Sequence, residues 1–347
     1  MDFSLSDDQL SVRDLAVQLL ADVDPKGTTG FDAVLWRRLG EAGLLGLCLP
    51  EADGGAGYGL TELALVCEEA GRRLAQVPLA VAVGAATAVA RYGDPDLKAR
   101  LLPGLVDGST VLTCGWSEPF GADPLRPRTR VQDGLVHGEK TAVPLAREAT
   151  AVLVPAVGPH GLVLAVVEGG TLLDEETTSG ERAATLVLDG AAPLAVLPAE
   201  AAVLASQWTT VALAATQLGI ASEALRRAAD HTSTREQFGR PLATFQAVAV
   251  RLGSAYIDVE ALRSVMWQAA YRIDAGLPAT EEVATAAFWA AEAGERVASS
   301  AVHLHGGLGV DTDYPLHRWF LASKHVELAL GGASRQLELL GAALVPS

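Results

Sequence analysis

The spacing of apolar and polar positions changes character twice along this chain. Up to about residue 110, apolar residues recur at helical intervals. Ser6 and Gln9 have the spacing of a capping box, and Val12, Leu15, Ala16 and Leu19 follow on one face. A second helix is expected around Phe31 to Ala42, ended by Gly43. A third begins at Thr61, with Leu63, Val66, Cys67, Ala70 and Leu74 as its apolar stripe, after the loop "LPEADGGAGYGL". From about Thr110 the runs become short and β-rich. "STVLTCGWSEP", "RTRVQDGLVHGEKTAV", "ATAVLVPAV", "GLVLAVVEG" and "AATLVLDG" are separated by Gly, Pro and Asp. They follow one another too closely for crossover helices, which disfavours a doubly wound fold and predicts an antiparallel sheet or small barrel. From about Ala205 helical spacing returns over long segments, broken at "FGRPLATFQ", "AGLPAT" and "HGGLGVDTDYP", as in a bundle of antiparallel helices. The expected division is a helical 1–110, a β-rich 111–204 and a helical bundle over 205–347, with no fixed-period repeat.

Composition narrows the function classes. Half of the 347 residues are hydrophobic and 20% are charged, which suits a large core rather than a disordered chain. A net charge of −16 leaves no excess of cations to neutralise phosphates, so nucleic acid and anionic membrane are excluded as main partners. The N-terminal "MDFSLSDDQLSVRDLAVQLL" carries acids where a signal peptide needs a basic start, and no uncharged run reaches the roughly 18 residues of a membrane span. Cys48, Cys67 and Cys114 are too few and too scattered for a disulfide framework or a zinc site and are expected as small buried residues. The expected compartment is the cytoplasm, and no metal site is expected.

Two segments carry candidate chemistry. In "HTSTREQFGRPLATFQAV", Arg235 precedes a turn at Gly239 and Pro241, with Gln237, Phe238, Phe245 and Gln246 close by. A guanidinium binds phosphate oxygens in pairs and an aromatic offers a stacking face, which suits a phosphate beside a flat ring. The same residues also suit a solvated Arg and a core Phe at a helix–helix turn. In "HLHGGLGVDTDYPLHR", Gly306 and Gly307 allow close approach of backbone to a ligand. These glycines do not follow a strand, so the Rossmann fingerprint is not met. His303 and His305 lack companions at metal-ligand spacing and are expected in structural or hydrogen-bonding roles.

Taken together, "REQFGRPLATFQ" and "HLHGGLGVDTDYPLHR" resemble the C-terminal domain of the acyl-CoA dehydrogenase family of flavoproteins. "GLLGLCLPEADGGAGYG" resembles that family's early glycine loop, "CGWSEPFGADP" its T-E-P-x-A-G-S-D motif, and "DGLVHGEKTAV" its N-G-E-K-x-W-I-T-N strand. The resemblance spans nearly the whole chain. It implies a mainly α fold with a helical N-domain, a central β-barrel domain and a C-terminal four-helix bundle. It also implies FAD as cofactor, with the adenine and pyrophosphate end gripped by Arg235, Gln237, Phe238, Phe245, Gln246, His303, Gly306 and Gly307.

One part of the family pattern is missing. A carboxylate there removes the α-proton of an acyl-CoA thioester, and a positioned general base is worth ~100- to 10,000-fold. Aligned from Asp313, Tyr314 and Pro315, its position falls on Leu330 in "LALGGAS", and an alternative position falls near Thr209 and Thr210. None of these side chains is a base near neutral pH, so no catalytic residue is assigned. Ala142, Val143 and Pro144 stand where the resemblance places the Trp-Ile-Thr that contacts the flavin ring, and Trp116 could reach a flavin edge or pack at the sheet rim. The resemblance therefore implies a base-lacking, smaller subunit of an α2β2 acyl-CoA dehydrogenase, in which a second, catalytic chain holds most of the acyl-CoA, such as one with a steroid side chain. Two alternatives stay open: a homomeric flavoenzyme with a displaced base at Glu327 or Glu338, and a flavin-free scaffold binding a partner or an acyl-CoA. Glu118 and Asp123 are expected as turn-forming residues, and Asp313 and Arg318 as a weak ion pair.

Overall fold

The computed structural model describes residues 4–25, 30–121 and 123–345. Helix α1 (Asp7–Leu20) begins with the expected capping box: the Ser6 hydroxyl accepts from the Gln9 N–H at 3.2 Å, and the Gln9 side chain accepts from the Ser6 N–H at 3.0 Å. Helices α2 (Ala33–Glu41) and α3 (Leu60–Arg73) stand where the apolar stripes place them. Two more helices follow, α4 (Leu79–Tyr92) and α5 (Pro95–Val106). The latter is capped by Asp94, with Pro95 at its first position.

The β-rich region supplies β1 (Leu112–Cys114), β2 (Arg130–Gln132), β3 (Leu135–Pro144), β4 (Ala151–Gly158), β5 (Gly161–Val167), β6 (Thr171–Glu176), β7 (Arg182–Ala191) and β8 (Ala195–Leu197). Their order is β6-β7-β3-β2-β4-β5-β8, with β1 pairing β4 off that path. This corrects the expected antiparallel sheet or barrel in two respects. The sheet is mixed, because β1 and β2 both run parallel to β4. It is also open: among the described residues no pairing joins β6 to β8. The two ends are poor templates for closure. β6 places Asp174, Glu175 and Glu176 on a largely exposed strand, and β8 is only three residues long. The charge of β6 also hid it from the apolar pattern. One face of the sheet is closed by Val136, Val143, Val152, Val154, Ala165, Val167, Ala184, Leu186 and Leu188.

The C-terminal part is helical, with α6 (Ala199–Thr234), α7 (Gln246–Asp274), α8 (Thr280–His305), α9 (Leu316–Ala329) and α10 (Gly332–Leu344). Between α6 and α7 lies a two-stranded hairpin of β9 (Glu236–Gln237) and β10 (Arg240–Pro241). Compact packing divides the chain into two units. One contains α1, α3 and the chain from Thr210 onward; the other contains α2, α4, α5, the eight-stranded sheet and the chain up to Thr209. Cys48, Cys67 and Cys114 are buried, and none forms a disulfide. Burial pushes the Cys67 thiol up to about 12, so it is an inert core group. Among the described residues no helix is long and apolar enough to cross a membrane.

Candidate functional site

The first candidate segment is built by the end of α6 and the hairpin after it. The Arg235 N–H donates to the His231 carbonyl at 2.8 Å, and the Arg235 carbonyl accepts from the Leu242 N–H at 2.9 Å. The hairpin turns on Phe238 and Gly239, with φ of 55° and 77°. Two positive φ values in a two-residue loop are the mirror-type turn that fits strand twist, and such turns favour Asn and Gly. A phenylalanine there is held in an unfavourable conformation, and it stands 91% exposed. Its ring meets Phe245 edge-on at 6.2 Å, and the Arg240 guanidinium lies 4.0 Å over the Phe245 ring. Gln246 is exposed at the first position of α7, where backbone N–H groups lack intrahelical partners and favour an anion.

Charge completes this surface. Arg226 and Arg227 on α6 are tied to Glu223 and Asp230. Arg235 is exposed and has no ion-pair partner among the described residues. An uncommitted guanidinium beside an exposed aromatic ring and two amides can hold a phosphate next to a flat ring. The sequence reading missed Arg240, although "FGR" carried a signal: a two-residue turn returns its flanking residues to one another, and Arg240 pairs with Gln237.

The second segment closes α8. Gly306 caps the helix at φ 62° and ψ −138°, a conformation that strongly favours a residue without Cβ, and both Gly306 and Gly307 have open space where a Cβ would be. His303 and His305 diverge. His303 is exposed beside the glycines, whereas His305 is buried, with Nδ1 2.8 Å from the Ala301 carbonyl and Nε2 3.3 Å from the Tyr314 hydroxyl. The His305 ring stacks on His231 at 4.2 Å. The two segments are thus joined through a histidine pair one turn before Arg235 and one residue before Gly306.

No carboxylate occupies the positions where a base was sought. Leu330 is 6% exposed at the C-cap of α9, and its carbonyl accepts from the Gln336 side chain. Thr209 is 2% exposed, its hydroxyl has no partner, and a Cβ on Gly84 would lie 2.5 Å from it, so α4 and α6 pack closely there. Thr210 is half-buried. The displaced candidates are engaged elsewhere: Glu327 accepts from Lys324 at 3.0 Å and Glu338 from Arg335 at 3.0 Å.

In the sheet unit, Ala142 is exposed at φ 49° within an irregularity of β3, Val143 lies in the sheet core, and Pro144 is half-buried without an N–H to offer. Trp116 is half-buried with its indole N–H unpartnered. Asp123 does form a turn, its carboxylate accepting from the Leu125 N–H at 3.0 Å. Glu118 is more than a turn residue, a correction to the sequence reading. It is buried, 2.6 Å from the fully buried Lys140 ammonium, and it accepts from the Thr129 hydroxyl and N–H and from the Arg128 N–H. Burial alone would raise its carboxyl, but Lys140 and these donors hold it at about 2. Among the described residues no cluster of His, Cys, Asp or Glu could hold a metal ion.

Comparison with known proteins agrees with this architecture. Residues 9–109 match the family model of the acyl-CoA dehydrogenase N-terminal domain, and residues 200–345 match that of the C-terminal domain. Acyl-CoA dehydrogenase FadE27 of Mycobacterium tuberculosis is 40% identical, over 90% of this chain and 88% of its own. Among solved structures, the Tcur3481-Tcur3483 steroid ACAD G363A variant superposes with a TM-score of 0.92 at 41% identity, over 97% of this chain and 98% of that one. The ChsE4-ChsE5 complex from Mycobacterium tuberculosis does so with a TM-score of 0.93 at 38% identity, over the full length of both chains.

Proposed function

Because the chain belongs to the acyl-CoA dehydrogenase family, a family of oxidoreductases, we propose that it is the base-lacking subunit of a heteromeric FAD-dependent member. In this reading it supplies the adenine and pyrophosphate half of a flavin site, and a second chain supplies the ring side and the catalytic carboxylate. The observation that carries the proposal is an outward-facing grip combined with a base position filled by Leu330. Arg235, Gln237, Phe238 and Gln246 are exposed to solvent, as groups reaching toward another chain's cofactor would be.

The residues present fit the adenine end of the cofactor. Arg235 is free to pair with phosphate oxygens, with Arg240 beside it. The exposed Phe238 ring offers a stacking face, Gln237 and Gln246 offer amide bonds, and Gly306–Gly307 leave room for close backbone approach. When bound, the flavin supplies the hydride acceptor for α,β-desaturation of an acyl-CoA thioester. This chain's part is to bind and orient; it has no group at Leu330 or Thr209 to take the α-proton.

Two further features support a partner. Val250, Tyr256 and Ile257 stand 60%, 60% and 67% exposed on α7, a helix whose outer surface is unusually apolar for one facing water. Two solved relatives carry paired designations, and one is described as a steroid ACAD. A bulky steroid-type acyl-CoA, held mainly by the partner chain, is accordingly the proposed substrate class, and the assembly is proposed as α2β2 in the cytoplasm.

Co-expression with candidate acyl-CoA dehydrogenase chains, followed by flavin analysis, tests the assignment. One flavin per pair of unlike chains is expected. Arg235→Ala should assemble normally yet lose most of its flavin. An Arg235→Ala complex with full flavin content, or turnover of an acyl-CoA by this chain alone, overturns the proposal.

A further inference from the structure

The rings of His231, His305 and Tyr314 lie outside the grip itself, yet they form the joint between its two segments. His231 sits one turn before Arg235 on α6, and His305 ends α8 directly before Gly306. The histidine rings stack at 4.2 Å with planes 20° apart, and the Tyr314 ring lies 5.5 Å from that of His305.

Burial and the close face-to-face stacking of the two rings disfavour charge on this stack. The Ala301 carbonyl can only accept, so His305 Nδ1 carries the proton and donates to it. Nε2 lies 3.3 Å from the Tyr314 hydroxyl, which can donate to a neutral ring or accept from a protonated one. Both ring nitrogens therefore have a partner in either charge state, and it is the stacking on His231 that disfavours the cation. A second proton would set a cation face to face with His231, in the field of Arg227 on α6 and of Arg235 just after it. Of the other groups around it, Asp230 on α6 is held by Arg226, His303 on α8 is exposed, and His317 on α9 bonds the Tyr314 carbonyl beside Asp313.

We propose that this stack is an acid-sensitive latch: neutral, it clamps the Gly306–Gly307 loop against the Arg235 end of α6, and protonation releases the loop. Its effect on flavin retention rests on the half-site reading above. Burial, the main cause, holds both imidazoles below the usual histidine range. His305 and Arg235 add to this for His231, and Arg227 adds to it for His305, where the Ala301 bond opposes it. A histidine kept neutral in the folded protein contributes stability that is whole above the ordinary value of ~6.5 and is lost as pH falls below it.

The test uses the assembled heteromer purified with its flavin. Flavin release, read as free-FAD fluorescence, is followed from about pH 8 to about pH 5.5. The parent is compared with His305→Phe and His231→Tyr, which keep a ring but do not titrate in this window. Hydrogen-exchange protection of residues 300–315 is measured alongside. In the parent, release should quicken and protection should fall by up to roughly tenfold per pH unit within the window. The ring variants should match the parent's flavin content at about pH 8 and, with one titrating imidazole removed, show clearly shallower profiles below it. Parent protection that does not change with pH overturns the latch, as do variants that keep the parent's slope. If the assembled complex holds no flavin at any pH, the half-site reading fails, while protection of residues 300–315 still decides the latch.

Discussion

At Phe238 and again at Ala142, the backbone turns left-handed on an exposed residue that carries a side chain, with φ of 55° and 49°. Such positions ordinarily go to Gly, Asn or Asp, because a Cβ there costs about 1–2 kcal/mol. The two bends differ in what they present. The hairpin at Phe238 displays a ring, an uncommitted arginine and two amides. The irregularity at Ala142 displays a methyl group, followed by a buried valine and a proline without a donor. The bend at Phe238 exposes groups that can contact a ligand, whereas the bend at Ala142 exposes none. One unit presents groups able to bind a ligand at its bend, and the sheet unit presents none at its own.

That contrast is most strongly tested at the scaffold's buried ion pair. Lys140→Met strands the Glu118 carboxylate in the core and should cost about 3–5 kcal/mol, measured by denaturant unfolding, and Glu118→Gln/Lys140→Met should recover most of it. Acid offers a second measure. The folded carboxyl sits at about 2, below its ordinary ~4.3, so its contribution is whole above ~4.3 and lost as pH falls toward 2. The parent should therefore lose stability across that range, and the double variant should lose less.

The grip comes next. Arg235→Lys preserves charge but loses the paired guanidinium geometry, and should weaken flavin retention in the assembled heteromer by roughly ten- to hundredfold, an effect of about 1.5–3 kcal/mol. Retention equal to the parent would mean that Arg235 acts only as a point charge. The smallest expected effect is the most diagnostic. Phe238→Asn relieves the turn and should raise unfolding stability by about 1 kcal/mol, while flavin retention falls. Stability and retention falling together would mean that Phe238 is a packing residue rather than an exposed binding face.

Much of this was legible in the sequence because it depends on neighbours in the chain. The Ser6–Gln9 box, the stripe of α3, the break at Gly239 and the end of α8 at Gly306 are local signals, and each appears as expected. The acidic edge strand β6 was not legible, since only pairing with β7 makes a run such as "TLLDEE" a strand. Nor was the role of Glu118. A carboxylate in "SEP" resembles a turn former until Lys140, 22 residues later, is brought to 2.6 Å.

The amino-acid order by itself determined which chemistry this chain can offer: an arginine and aromatic at a turn, a glycine pair after a helix, and a leucine where a proton acceptor was sought. Tertiary structure alone decided whether the sheet closes, which charges become buried partners, and which of two neighbouring histidines faces water. The physical reason is range. Caps, turns and periodicity are settled within a few residues, whereas ion pairing in the core and ring stacking depend on segments that only folding brings together.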